Sequence, residues 1–330
     1  MSTSTRTITM RAVVQDGYGN ADVLRVARVD QPTTGDRDVL VRVHAAGLHR
    51  GTWHVMTGRP YALRLAFGLR RPRQPVISTE LAGTVVSVGA GVSRFAPGDE
   101  VYGIGSGTFA EYAVAPEAKL ARKPANLTFA QAAIVPVSAP TALQCLTDLG
   151  HVGAGQRVLV TGASGGVGTF AVQVAKELGA HVTGECSTAK ADLVRSLGAD
   201  EVLDYTSDDF ADGTRRFDLV LDLAGSPSVA RLRRSLTRTG TAVIAGGEGG
   251  GPVTGMSRQL RALVVSPFVR QRFAVCLAKE RASDLEHLTP LLEAGRITPA
   301  LDRTYPLEDA ADAMRRLAAG EVSGKVAVTL

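Results

Sequence analysis

The sequence predicts an α/β chain in which a doubly wound parallel sheet is joined to a second, β-rich domain. Three observations carry that prediction. The first third reads as strands and turns, with little apolar periodicity of helix length. From about residue 130 the rhythm changes to strands alternating with helices. At one strand-to-helix junction, in "VTGASGGVG", four glycines fall within seven positions.

In the β-rich part, "DVLVRVHAAG" (38–47) and "LAGTVVSVGAGV" (81–92) are rich in branched apolar residues, and "FAPGDEVYG" (95–103) sets a Pro-Gly-Asp turn before a strand. Further on, "RVLVTG" (157–162) is a short apolar strand. After it Val167, Phe170, Ala171, Val174, Ala175 and Leu178 share one helical face, and Gly179 stops the helix. Strand "HVTGEC" (181–186) leads to a helix over 189–197 closed by Gly198. Then come "EVLDY" (201–205), "FDLVLDLAG" (217–225), a helix near 227–237 and "GTAVIAGG" (240–247). Repeated βα units require parallel pairing with right-handed crossovers, which gives the doubly wound Rossmann sheet. The final "GKVAVTL" (324–330) is a strand that is expected to rejoin the N-terminal domain. The expected division is 1–130 with 295–330 for the β-rich domain and 131–294 for the Rossmann domain.

Gly162, Gly165 and Gly168, with Gly166 beside them, fit the spacing of a dinucleotide-binding turn. The first permits the tight bend, the second brings backbone close to a pyrophosphate, and the third lets helix pack on strand. Main-chain amides around Ser164, Gly165, Gly166 and Val167, at the positive end of the helix dipole, are therefore expected to hold a diphosphate. The tip of the next strand decides which dinucleotide. An NAD site places a carboxylate there to accept from the ribose hydroxyls. Here the chain reads "ECSTAK": Cys186 is at the tip, and Ser187, Thr188 and Lys190 offer hydroxyls and a cation. Such a set favours the 2′-phosphate of NADPH. Glu185 stands one position early, and strand alternation turns its side chain to the face opposite Cys186.

Composition bounds the function. The 330 residues are 45% hydrophobic and 21% charged, with no uninterrupted apolar run long enough for a membrane span. The N-terminal "MSTSTRTITM" is polar, without an apolar signal core, and reads as a short frayed tail of a cytoplasmic protein. Cys145, Cys186 and Cys276 are far apart and form neither a disulfide framework nor a metal knuckle, as buried thiols in a reducing compartment would. The net charge of +5 comes from scattered arginines, which points to a solvated surface and an anionic cofactor rather than to nucleic acid. No membrane partner is expected.

With "AAGLHRGTWHVMTGRPY", "RFAPGDEVYG", "VTGASGGVGTFAVQVAKELGAHV", "LGADEVLDY", "DRTYPLEDAADAM" and "GKVAVTL" in that order, the sequence resembles the medium-chain dehydrogenase/reductase superfamily, specifically its zinc-free quinone oxidoreductase (zeta-crystallin-like) branch. The resemblance implies a GroES-like catalytic domain, a Rossmann domain, and the nicotinamide in the cleft between them. It implies hydride transfer from NADPH to a small molecule, a quinone, enone or enal, and a homodimer. It also implies that Lys190, Tyr205 and Ser187 hold the 2′-phosphate, and that Thr141, Gly246, Phe268 and Lys325 lie near the coenzyme.

Where zinc-dependent relatives place their catalytic ligands, this chain has His49, Thr79-Glu80 and Val137. That leaves at most two ligands where a stable site needs three or four, so no zinc is expected. Catalysis then falls on positioning and on a group that holds developing negative charge. Tyr61, one position later than the tyrosine of related enoyl reductases, is the first candidate, its alternative being a Tyr that caps the loop. His49 stands where the family commonly carries Asn. It is either a neutral donor, an acid titrating near neutrality, or a hydrogen-bonded structural histidine. His44 and His54 are expected to face the sheet or solvent. The arginine-laced "RPYALRLAFGLRRPRQP" (59–75) reads as an entry lip, and "RALVVSPFVRQRFAVCLAK" (261–279) as pocket cover, surface helix, dimer contact or membrane-surface segment. The leading function is an NADPH-dependent quinone or enoyl reductase. The alternatives are an alcohol/ketone oxidoreductase and a non-catalytic dinucleotide-binding regulatory or structural protein.

Overall fold

A computed structural model describes residues 8–246, 251 and 253–330 of the chain. Residues 1–7 of the expected N-terminal tail and position 247, at the end of the "GTAVIAGG" strand, lie outside the described residues. Two lobes meet along a crevice.

In the first lobe β1 (Thr9–Gln15) and β2 (Leu24–Asp30) form an antiparallel ribbon. The main sheet uses β3 (Asp38–Leu48), followed by α1 (Arg50–Thr57) and α2 (Leu63–Phe67). It continues with β4 (Glu80–Val88), β5 (Glu100–Ile104), β6 (Tyr112–Pro116) and β7 (Leu120–Arg122). α3 (Phe129–Ala133) lies across the expected boundary at residue 130. Val39, Val41 and Val43 alternate inward along β3, as period-2 patterning requires, and pack with Leu81, Val85 and Val101.

The second lobe runs from α4 (Ser138–Gln144) through β8 (Arg157–Thr161), α5 (Gly166–Glu177), β9 (His181–Cys186) and α6 (Ala191–Ser196). It goes on through β10 (Glu201–Asp204), β11 (Phe217–Asp222), α7 (Val229–Ser235), β12 (Leu236–Ile244) and α8 (Ser257–Val265) to β13 (Arg272–Val275) and α9 (Ala282–Glu293). The sheet order is β10-β9-β8-β11-β12-β13, every pair parallel. The chain winds one way from β8 and then the other way from β11, so their carboxyl ends flank a topological switch point. This is the doubly wound sheet that the βα alternation predicts.

The chain then returns. β14 (Leu301–Pro306), α10 (Ala310–Ala318) and β15 (Lys325–Thr329) complete the first lobe, with β15 antiparallel to β3 so that Leu48 faces Val326. That gives a seven-stranded sheet, β14-β15-β3-β4-β5-β7 with β6 on β3. A shared core seals the lobes: Ala45, Ala82 and Tyr102 pack with Ala133, Val135 and Ala142, and the Tyr102 hydroxyl donates to the Leu285 carbonyl at 3.1 Å.

The 261–279 stretch is not one element. Pro267 cannot continue α8, so the chain turns through Ser266–Phe268 and adds β13 to the sheet. Cys145, Cys186 and Cys276 are buried free thiols. Among the described residues no helix is long and apolar enough to cross a membrane.

Candidate functional site

The crevice lies where the switch point faces the first lobe. One wall is made of backbone. Gly162 sits at φ +66°, a conformation that costs a residue with a Cβ roughly 1–2 kcal/mol. A Cβ on Gly168 would collide with the Gly162 carbonyl, so helix and strand can approach this closely only with glycine there. α5 begins at Gly166 behind Gly165, and no side chain caps it. Its first-turn N–H groups therefore have no intrahelical acceptor, and with the helix dipole they present a twelve-residue helix's positive end to the crevice. Two joined cavities of about 470 and 330 Å³ lie over it. Glycine 165, Gly166 and Val167 line both, Ser164, Lys190 and Lys325 line the larger, and Thr141 and Gly246 line the smaller. This cradle fits a dinucleotide diphosphate.

The opposite wall is made of side chains. Glu80, at the start of β4, is buried; one carboxylate oxygen accepts from the Lys325 ammonium and the other from the Val137 N–H at 2.9 Å. Burial lowers the Lys325 pKa, and Glu80 opposes that by raising it. His49 is the N-cap of α1, its Nδ1 accepting from the Gly51 N–H at 3.1 Å. Since an amide can only donate, the ring proton must be on Nε2, which then donates to the Thr79 hydroxyl at 3.3 Å. Burial pushes the His49 pKa down to about 4; Glu80 opposes that shift and Lys325 adds to it. Near neutrality the ring is thus uncharged, a hydrogen-bonding group rather than an acid.

This chemistry does not fit zinc. Both nitrogens of His49 have partners, the Lys325 ammonium holds the Glu80 carboxylate, and Val137 offers no ligand. Among the described residues no group of three or more His, Cys, Asp or Glu could hold a metal ion.

Ser187, Lys190 and Tyr205 gather at the carboxyl ends of β9 and β10: the Ser187 carbonyl accepts from the Lys190 N–H at 2.9 Å, and the Cys186 carbonyl from the Tyr205 N–H at 3.1 Å. Only Lys190 lines the crevice, while the Tyr205 ring is 61% exposed. The Lys190 ammonium donates to the carbonyls of Gly320 at 2.8 Å and Val322 at 2.7 Å, and among the described residues no carboxylate pairs with it. Glu185 is turned under the sheet, where burial raises its pKa to about 7.

Three residues lie elsewhere than expected. Phe268 is 85% exposed beside Arg238 and Arg270, outside the crevice, because the turn after α8 leads outward to the edge strand β13. Tyr61 is 44% exposed, with the guanidiniums of Arg59 and Arg64 at 5.9 and 5.0 Å from its ring, and lines neither cavity. His54, expected to face sheet or solvent, lines the smaller cavity with Arg50 and Thr141. Its position one turn from Arg50 on α1 was the signal available in the sequence.

Residues 35–125 match the family model of the alcohol dehydrogenase GroES-like domain, and residues 197–328 that of zinc-binding dehydrogenases. Over 335 residues the chain is 32% identical to the chloroplast envelope quinone oxidoreductase homolog of Arabidopsis thaliana, covering 97% of this chain and 98% of that one. The chain belongs to the medium-chain dehydrogenase/reductase superfamily, in its quinone oxidoreductase branch. This oxidoreductase is also 33% identical over 334 residues to 2-methylene-furan-3-one reductase of Solanum lycopersicum, with 97% of this chain and 79% of that one covered. A mycobacterial protein solved in complex with NADPH superposes with a TM-score of 0.83 at 28% identity, over 97% of this chain and 100% of that one.

Proposed function

We propose that this oxidoreductase is an NADPH-dependent, zinc-independent reductase of quinones or α,β-unsaturated carbonyls, working as a cytoplasmic homodimer. The observation that carries the reading is the crevice between lobes, with an uncapped helix N-terminus on one side and two lysines in its lining. A relative named as a quinone oxidoreductase, one named for an enone substrate, and a neighbour solved with NADPH support the reaction class and the coenzyme.

When bound, the coenzyme supplies a hydride. The chain supplies its seat. Amides at the start of α5 hold the diphosphate, and Thr141 and Gly246 border the nicotinamide end. Lys190, whose ammonium donates to two neutral carbonyls and whose pKa is lowered by burial, is the cation for the 2′-phosphate, with Ser187 and Tyr205 beside it. The buried Lys325–Glu80 pair stands in place of a metal at the base of the crevice. His49 caps α1 and, uncharged near neutrality, is a hydrogen-bonding group rather than a proton source. The strand β13, at the edge of the sheet among the described residues, is where a second copy would extend it.

Oxidation of NADPH with a panel of quinones and enals tests the reading. Turnover of ketones alone would instead favour carbonyl reduction, and tight binding without turnover a regulatory role. Lys190→Ala should weaken NADPH binding by roughly 1.5–3 kcal/mol, the worth of a charged hydrogen bond, and leave NADH binding unchanged. Equal loss for both coenzymes would remove the 2′-phosphate assignment.

A further inference from the structure

Behind the crevice wall lies a buried polar network that neither the glycine turn nor the first lobe requires. Thr161 and Asp222 end the two switch-point strands side by side. The Thr161 hydroxyl donates to the Asp222 carboxylate at 3.0 Å, as does the Gly225 N–H at 3.0 Å. The other Asp222 oxygen accepts from Arg258 in the first turn of α8. The rest of the Arg258 fork reaches the carbonyls of Pro227 at 3.2 Å and Gly246 at 2.8 Å, and Gln259 donates to the Gly246 carbonyl at 3.2 Å. The Gly246 N–H in turn donates to the Asp222 carbonyl at 2.9 Å. Both main-chain groups of Gly246, a residue of the crevice lining, are thereby fixed by residues that do not touch the crevice themselves, except through it.

Stability alone does not account for this arrangement. A buried ion pair is commonly no more stabilising than apolar residues of the same volume. Among the described residues the Arg258 Nε has no acceptor and the Gln259 Oε1 no donor, which adds cost. What the guanidinium does provide is position, since its planar fork binds a carboxylate and a carbonyl at once in fixed geometry. The same anchor sets where α8 begins, just after the stretch whose Val253 carbonyl accepts from the Ala62 N–H at 2.9 Å on the lip beside Tyr61.

We propose that Arg258, held by Asp222, is a positioning residue for the coenzyme: it fixes Gly246 at the nicotinamide end of the crevice and the lip beside Tyr61 with it. The inference rests on the coenzyme reading of the crevice. Arg258→Lys tests it, because lysine keeps the charge opposite Asp222 but loses the fork to Gly246. Leu232→Ala, a buried residue of α7 in the same lobe, is the control for lost stability.

Coenzyme affinity is read by NADPH fluorescence titration, and KM, kcat and thermal unfolding are measured alongside. Arg258→Lys should raise the coenzyme Kd and KM about tenfold, the effect of one lost charged hydrogen bond, with kcat within about twofold. Leu232→Ala should lower the unfolding temperature at least as much while leaving Kd near the wild-type value. If Arg258→Lys binds NADPH as the wild type does, or if Kd follows unfolding temperature equally in both variants, the positioning role is overturned. A wild-type chain that binds no dinucleotide would overturn the coenzyme reading, and this inference with it.

Discussion

The two walls of the crevice are built on opposite principles. The Rossmann wall presents backbone: glycines that let strand and helix approach, and amides at the start of α5. The wall from the first lobe presents side chains, with Lys325 on Glu80 and His49 on Gly51 and Thr79. A backbone site needs only a local run of residues, and its electrostatics come with the helix. A side-chain site needs partners brought from far apart, and each buried charge must be compensated. The first wall therefore tolerates change almost anywhere except at its glycines, whereas the second fails when either partner of a pair is lost.

The largest effect expected from that contrast is at Lys325. Lys325→Met leaves the Glu80 carboxylate buried beside the Val137 amide alone, and should destabilise the fold by about 3–5 kcal/mol in urea unfolding. The double change Lys325→Met with Glu80→Leu should recover most of that loss. Recovery of nothing would mean that the pair contributes by some route other than mutual compensation.

Next comes Glu185, the acidic group that the Rossmann wall hides. Its pKa is raised from 4.5 to about 7 in the fold. The unfolded chain releases this proton near 4.5 and the folded chain only near 7, so the native state loses stability as pH rises between those values and carries the full cost above. Glu185→Gln should accordingly gain up to about 3 kcal/mol relative to wild type at pH 8 compared with pH 4. A stability difference independent of pH would show that the carboxyl is solvated.

The smallest effect is at His49. Asparagine can also cap α1, so His49→Asn should change stability by less than about 1 kcal/mol. Because the ring titrates at about 4, the kcat/KM profile between pH 6 and 9 should keep its shape. Loss of a limb in that range would make His49 an acid after all and would blur the distinction between the walls.

The same contrast explains what could be read from the sequence. The parallel sheet, the glycine turn and Lys190 are local patterns, and β9 runs over the very residues of "HVTGEC". Thr141 and Gly246 reached the crevice through family resemblance alone. Lys325 and Glu80, 245 residues apart, meet only because β15 pairs with β3 and β3 with β4, a register no local pattern encodes. Arg258 escaped notice for a similar reason: its partner lies 36 positions earlier, at the end of a different element, and only the folded sheet brings the two together. Phe268 misled because resemblance fixes a position along the chain and not the direction a turn takes after Pro267.

The returning segment before β15 has a mechanical consequence. There the Gly324 N–H donates to the Ser164 carbonyl at 2.8 Å, and the ammonium of Lys190 grips the carbonyls of Gly320 and Val322. These stitches rivet the segment leading into the final strand of one lobe to the glycine turn of the other, so a change at either end of the seam is felt in both lobes. On the lip, the Ala62 N–H reaches across to the Val253 carbonyl, so a backbone rivet sits there as well.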